Sequence, residues 1–409
     1  MRIAYIAPYQ GPTLVKRRPI VRNLSLGGRI KIRLISELLR ESSHKVEILS
    51  QGEVVERQFR FYPGFREPEV LDGNIPIYYS SAFPVRFLNG FSSSLSTLHL
   101  FKARHRAAPF DVVLIYNLKP PQVTCANYAI RRLGLPVILE YEDDAFSGVW
   151  GNSGTVLTSK YYLAAAKRLL SCVSGCMALS PYLLSQTPDS IPKLLLRGVV
   201  SNVIAKADKH TFGPRKNWMV FSGTHEKTQG LEQLIQAWQL IRPPDWELHI
   251  AGQGPITPAL QKMAESNPKI VFHGFLDREE NGRLLCLAKV GLNPQDAPKK
   301  LGGVFAFKIV EYLAADLHVI TTPRGTLEPE LEAGVTYIKD NSPDTIAAGL
   351  RKVISDHLYG RTAKQAALEA YGPDAIAKAL NRLIEDVAAG RRVARRCPDV
   401  AVPSLPPVS

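Results

Sequence analysis

Short apolar, β-branched runs alternate with longer helix-period segments almost from end to end of the 409-residue chain. The first series of runs falls at 3–7, 46–49, 75–79, 111–116, 137–141 and 176–179, with amphipathic stretches such as 28–39, 123–133 and 161–170 between several of them. A strand that is apolar along its whole length is covered on both faces, which implies a parallel sheet between helices. The rhythm lapses over 201–216, a polar stretch containing Gly213-Pro214, and then restarts. Strands at 218–222, 247–251, 270–273, 290–293 and 318–321 alternate with helices at 231–241, 258–266, 278–287 and 307–315. Two complete series predict two doubly wound, Rossmann-like α/β domains.

Length agrees, because ~150 residues per domain gives two or three domains. The expected layout is a domain over 1–200, a linker over 201–216, a second domain over 217–372 and a helix over 373–396. The tail at 397–409 carries four prolines and is expected to be disordered. Lys and Arg number 51 against 37 Asp and Glu, a formal charge of +14 that calls for an anionic partner. Nucleic acid is not expected, since no basic-aromatic binding module is present. Phosphate-bearing small molecules and an anionic membrane surface remain.

The five cysteines, Cys125, Cys172, Cys176, Cys286 and Cys397, are odd in number and scattered. That argues against a secreted disulfide framework and for buried thiols. Cys172 and Cys176 lack the second Cys/His pair that a tetrahedral metal site needs. The apolar start is too short for a signal segment, and no run reaches the ~18 apolar residues of a membrane span. The expectation is a cytoplasmic protein, soluble or peripheral to a membrane.

Ligands of open α/β sheets bind beyond the carboxyl ends of the strands, so chemistry is sought just after each strand, in a cleft that two such domains are expected to share. After the first strand, Gly27-Gly28 opens a helix without forming G-x-G-x-x-G, which disfavours a standard dinucleotide site. Around it lie Lys16, Arg17, Arg18, Arg22, Arg29, Lys31 and Arg33, with no acidic residue between 16 and 33. Glycines at a helix start admit close backbone approach and the basic run suits an anion, although solvated charge explains any one of these residues. The strand at 137–141 ends in Glu140-Tyr141-Glu142-Asp143-Asp144. Crowded carboxylates make Glu142, Asp143 and Asp144 candidates for a general base, a hydroxyl anchor or a metal ligand, with helix capping as the structural alternative. Without further ligands, a metal site there is disfavoured.

In the second series four strands end in glycine turns: Ser222-Gly223-Thr224-His225-Glu226-Lys227, Ala251-Gly252-Gln253-Gly254-Pro255, His273-Gly274-Phe275-Leu276, and Asn293-Pro294 leading to Gly302-Gly303 and Phe307-Lys308-Ile309-Val310-Glu311. With Gly230-Leu231 and the N-terminal Gly27-Gly28 and Ser43-His44-Lys45-Val46, these segments resemble glycosyltransferase family 4, of the GT-B fold. The resemblance implies a nucleotide-sugar donor held mainly by the second domain. Its base would lie near Gly252, Gly254 and His273-Gly274-Phe275-Leu276. Glu311 would accept ribose hydroxyls, as the last glutamate of the family's E-x7-E motif. Gly302 and Gly303 would cover sugar and diphosphate. Gly27, Gly28, Gly223 and Thr224 would also line the donor site.

Departures accompany the resemblance. The first glutamate of E-x7-E falls at Gly303, and the family's Arg and Lys opposite the leaving diphosphate fall at Thr224 and Gln229. Lys227 and Lys308 are the candidate replacements, with Ser25 to Arg29 and the basic loop of the first domain as the alternative source of charge. The resemblance implies a retaining transferase acting on a hydroxyl acceptor, with Glu142, Asp143 and Lys308 as candidate catalytic groups. No metal and no cofactor is implied, the nucleotide-sugar being a substrate. Two alternatives stand beside it: a degenerate scaffold subunit and a nucleotide-sugar epimerase of the same fold. The +14 then points first to phosphates held by the 16–33 stretch. The basic run at 391–396 adds a possible contact with anionic lipid, which can contribute ~1 kcal/mol per basic residue.

Overall fold

The computed structural model describes residues 1–390 apart from 19–25, 53, 55–59, 69–74, 85–88, 145, 147–155, 209–210, 297–305 and 324–326. The expected tail at 397–409 and the basic run at 391–396 therefore lie outside the described residues. The chain divides into two compact units, one of Met1–Leu195 with the segment from Ala379 onward, the other of Leu196–Lys378. Residues 201–216, read as a linker, include the helix Asn202–Lys206, capped by the Ser201 hydroxyl.

The first unit holds β1 (Arg2–Ile6), β2 (Lys45–Ser50), β3 (Phe65–Arg66), β4 (Ile77–Tyr79), β5 (Val112–Tyr116), β6 (Val137–Tyr141), β7 (Gly175–Ala178) and β8 (Lys193–Leu195). They form one sheet in the order β3-β4-β2-β1-β5-β6-β7-β8, parallel except where the two-residue β3 runs against β4. The strands β5 and β6 are buried at every position, as strands covered on both faces are, although β6 carries one carboxylate, Glu140. The second unit holds β9 (Trp218–Ser222), β10 (Glu247–Ala251), β11 (Ile270–Gly274), β12 (Val290–Asn293), β13 (His318–Thr321) and β14 (Val335–Tyr337). These form a sheet in the order β11-β10-β9-β12-β13-β14, every pair parallel.

Each unit has its own core. Leu139, Phe101 and Phe110 are fully or almost fully buried in the first, Trp238, Phe221 and Leu248 in the second. In both sheets the strand order reverses once, between β1 and β5 and between β9 and β12. At such a point successive connections leave to opposite sides, opening a crevice beyond the carboxyl ends.

Cysteine usage differs in one place from the sequence reading. Cys125, Cys176 and Cys286 are free and buried. Cys172, in the partly exposed turn after the helix Val156–Leu170, is instead disulfide-bonded. Among the described residues no helix is long and apolar enough to cross a membrane.

Candidate functional site

The second unit builds its strand ends from backbone. Gly223, just past β9, donates its N–H to the Ala251 carbonyl of β10 (3.1 Å), and Gly252 donates to the Gly274 carbonyl of β11 (2.7 Å). One step on, His225 N–H reaches the Gln253 carbonyl at 3.1 Å. Three chain segments thus approach more closely than side chains permit. A Cβ on Gly252, whose φ is +119°, would sit 1.8 Å from the Gly223 oxygen, and one on Gly254 would sit 2.4 Å from the His225 oxygen. Thr257 locks the turn by accepting the Gly254 N–H (2.9 Å) and bonding the His225 ring (2.9 Å).

Where the strand order reverses, the helix Lys308–Ala314 brings two charged residues together. The Lys308 ammonium donates to the Gln229 side-chain oxygen (2.9 Å) and lies 4.0 Å from the Phe221 ring centroid. It also lies 2.7 Å from where a Gly223 Cβ would stand, so glycine there leaves room for the cation. Glu311 follows one turn later. Burial pushes its carboxyl up to about 7, against the opposing pull of the Arg278 and Lys308 charges. Tyr312 accepts the Ser222 N–H (2.8 Å) and the Ser222 hydroxyl donates to Asn281 (2.7 Å), which fixes the end of β9. Gly230, with φ +71°, lies so near β12 that a Cβ would stand 1.9 Å from the Pro294 oxygen.

The remaining predicted residues of this unit divide. Thr224 and Lys227 are exposed on the loop after β9. Gly274 has φ +65° with open space where a Cβ would stand, and Phe275 beyond it is 52% exposed. Gly302 and Gly303 fall outside the described residues. The His273 ring is engaged along the sheet face, its Nε2 lying 2.8 Å from His249 Nδ1, while His249 Nε2 meets Glu247 at 3.0 Å. Burial lowers the affinity of both rings for a second proton. Arg278 and Gln229, absent from the sequence-predicted set, belong with Lys308 and Glu311. Gln229 was legible as the position of a missing lysine, whereas Arg278 carried no motif.

The first unit builds its strand ends from side chains. Asn117, in the left-handed region (φ +59°) after β5, accepts the N–H groups of Glu142 (2.7 Å) and Asp143 (3.1 Å). Its amide donates back to the Asp143 carboxylate at 3.1 Å. The helix Leu26–Glu41 reaches the same place through Lys31, which donates to Glu142 and lies 3.9 Å from Glu140. Glu140 is wholly buried and also accepts the Tyr5 hydroxyl. Burial and the neighbouring Glu142 charge push the Glu140 carboxyl up, and Lys31 opposes them.

This arrangement qualifies two expectations. Glu142 is held in a side-chain ion pair and is a poor general base, since its lone pairs already face an ammonium. Asp143, exposed at the rim, is the more available carboxylate. Nor are all the cations of the 16–33 stretch left for an anion, since three of them are engaged within the protein. Arg18 is 1% exposed and gives its guanidinium to the carbonyls of Gly52 (2.7 Å), Pro63 (2.9 Å) and Ser80 (2.8 Å). Arg33 pairs with Glu37 at 2.6 Å, Lys31 with Glu142, and Arg22 lies outside the described residues. These three engaged cations were read with their neighbours because sequence proximity does not show which way a side chain turns. Gly27 and Gly28 do stand in the first turn of Leu26–Glu41, as expected. Among the described residues no group of three or more His, Cys, Asp or Glu is placed to hold a metal.

Residues 216–356, within the second unit, match the family model for glycosyl transferases group 1. No curated protein matches the chain significantly. Among solved structures, sucrose-phosphate synthase from Thermosynechococcus elongatus is similar at 14% identity and TM-score 0.67, over 95% of this chain and 100% of that one. HepE from Anabaena, solved with UDP, is similar at 14% identity and TM-score 0.63, over 94% and 100%. A UDP-N-acetylglucosamine 2-epimerase from Listeria monocytogenes, so described provisionally, gives 12% identity and TM-score 0.59 over 98% and 99%. With two parallel α/β sheets and these likenesses over nearly its whole length, the chain has the fold of GT-B glycosyltransferases.

Proposed function

We propose that the protein is a family 4 glycosyltransferase that moves a sugar from a nucleotide-sugar donor to a hydroxyl acceptor, with retention and without an obligatory metal. The observation that carries this reading is the grouping of Lys308, Gln229, Gly223 and Glu311 where β9 and β12 part. An ammonium beside glycine-lined backbone suits a diphosphate, because the charge is matched and nothing bulky blocks approach. In this reading Lys308 takes over the task of the lysine that Gln229 replaces, since its ammonium already touches the Gln229 side chain. Glu311, a carboxylate one turn away, would accept two vicinal ribose hydroxyls, each charge-assisted hydrogen bond contributing ~1.5–3 kcal/mol. The glycine turns at 252–254 and 274 leave backbone groups and the exposed Phe275 for the base. HepE, solved with UDP, supports a nucleotide ligand for this fold.

Retention asks for no strong base, which accords with a Glu142 held by Lys31 and leaves Asp143 to contact an acceptor hydroxyl. A screen of UDP-, GDP- and ADP-sugars for release of nucleoside diphosphate tests the reading. The wild-type chain is expected to turn over one of them, and Lys308→Met to lose most of that rate, since each ~1.4 kcal/mol of lost diphosphate stabilisation is tenfold. Product analysis separates the second reading, which the Listeria neighbour motivates: an epimerised nucleotide-sugar formed without acceptor would replace the transferase by an epimerase. Binding of donor with neither product would leave a scaffold subunit.

A further inference from the structure

The end of β11 carries an irregularity that a chain of side chains holds in place. Strands β10 and β11 pair in step from Leu248 opposite Ile270 to Ile250 opposite Phe272, after which Ala251 pairs with Gly274. His273 is thereby left as an extra residue of β11, a bulge, which re-aims a side chain. Its ring reaches back to β10, its Nε2 lying 2.8 Å from His249 Nδ1, and His249 Nε2 lies 3.0 Å from the Glu247 carboxylate. The two ring planes differ by 22° with centroids 5.0 Å apart, as for imidazoles joined edge to edge. Trp218 of β9 covers His249 with its ring centroid 4.0 Å away, and His249 is 3% exposed.

These contacts select the tautomers. A carboxylate only accepts, so His249 Nε2 carries the hydrogen and His249 Nδ1 keeps a lone pair. His273 Nε2–H donates to that lone pair, which holds the bulge in one orientation. Directly beyond it come Gly274, at φ +65° with open space where a Cβ would stand, and Phe275, 52% exposed. We infer that His249 is a positioning residue for base recognition: through His273 it sets the backbone of residues 274–276, and with it which nucleotide base that backbone accepts. The inference rests on the donor site proposed above. The ring pair accommodates one added proton, because an exchange of tautomers still leaves one N–H between the rings. A second proton sets N–H against N–H and breaks the contact. Burial lowers the affinity of His249 for that proton, Glu247 on the same strand opposes, and the His273 and Lys216 charges add to the lowering. Lys269, just before β11, bears on Glu247, and burial lowers the proton affinity of His273. The break therefore falls on the acid side of the ordinary histidine range.

Titration of the full chain with UDP, GDP and ADP at about pH 8 and about pH 5 tests it, read as the ratio of the weakest to the tightest dissociation constant. Ionisation of Glu311 cancels in that ratio, because the ribose it would meet is common to all three. The wild type is expected to discriminate at the higher pH and to lose roughly 3- to 10-fold of the ratio at the lower, the worth of one hydrogen bond. His249→Phe keeps a ring against Trp218 without either nitrogen, so its ratio should be reduced at both pH values. His249→Gln can donate to Glu247 and accept from His273 without titrating, and should keep the wild-type ratio at both. If His249→Phe does not fold, the wild type and His249→Gln decide the matter by their different response to acid. A wild type that binds all three alike, a wild-type ratio that acid leaves unchanged, or a His249→Phe that weakens all three equally overturns the inference and leaves the donor reading standing. A wild type that binds none of the three overturns both.

Discussion

The two sheets reverse their strand order in the same way, yet they finish their strand ends with different materials. In the first unit Lys31, Glu140, Glu142, Tyr5 and Asn117 tie β1, β5 and β6 together through side chains. In the second, Gly223, Gly252 and Gly254 let the ends of β9, β10 and β11 bond directly through backbone, with Thr257 and Tyr312 as side-chain braces. A side-chain network satisfies its own charges and leaves little for a ligand. A glycine-lined end brings backbone groups close to Lys308 and spares the space that side chains would fill. The contrast teaches where to look for binding energy: under the reading proposed above, the charged donor falls to the second unit, while most carboxylates of the first are already engaged.

Breaking the first network is expected to have the largest effect. Lys31→Met leaves Glu140 and Glu142 without their shared cation, which should cost about 3–5 kcal/mol of unfolding free energy in urea. Adding Glu142→Gln to that variant should return part of the loss. A double variant no better than Lys31→Met would mean that charge is not what Lys31 supplies.

The matching change in the second unit is Gly252→Ala, which puts a methyl 1.8 Å from the Gly223 oxygen at a φ of +119°. Strain and displacement should cost roughly 3 kcal/mol. Nucleoside diphosphate binding should fall with stability, whereas Gly90→Ala, where a Cβ meets nothing within 4 Å, should leave both intact.

Titration sharpens the comparison. Burial holds the Glu311 carboxyl at about 7, above its ordinary 4.5. Between those values the unfolded chain has released a proton that the folded chain keeps, so stability falls as pH rises from 4.5 through 7. After allowance for partial exposure the contribution is at most ~2 kcal/mol. Glu311→Gln should therefore gain on the wild type between pH 5 and pH 8 in matched urea melts, and equal shifts at both values would contradict it. Because the ionised form accepts hydroxyls better, diphosphate affinity of the wild type should rise several-fold over the same interval.

The same contrast explains what could be read from the sequence. The glycine turns of the second unit were legible because a backbone contact leaves its mark at one position, the residue that can spare a Cβ. The side-chain network was not, since Lys31 meets Glu142 across 111 residues and Tyr5 meets Glu140 across 135. Glu142 was found as part of a carboxylate run, but its partner was read as one of seven cations awaiting a phosphate. Arg18 failed for a related reason, being buried against three carbonyls that no pattern announces. The helix Asn89–Ala107 escaped notice because its first turns bury Ser93, Ser94 and Thr97 while Phe91 and Leu95 face outward, and only later does Phe101 turn into the core. Over those first turns the apolar periodicity runs the wrong way round. The strands β3, β8 and β14, of two or three residues, are too short to establish a period.

Calorimetric titration of the full chain with UDP, GDP and ADP tests the central claim most directly, because it asks for binding without asking for turnover. One nucleoside diphosphate is expected to bind saturably, and Glu311→Ala to weaken it by at least roughly 10- to 100-fold, the loss of one of its two charge-assisted hydrogen bonds alone being worth that much. Heat from none of the three, or an affinity that Glu311→Ala leaves unchanged, would contradict the placement of the donor site at the glycine-lined end of the second unit.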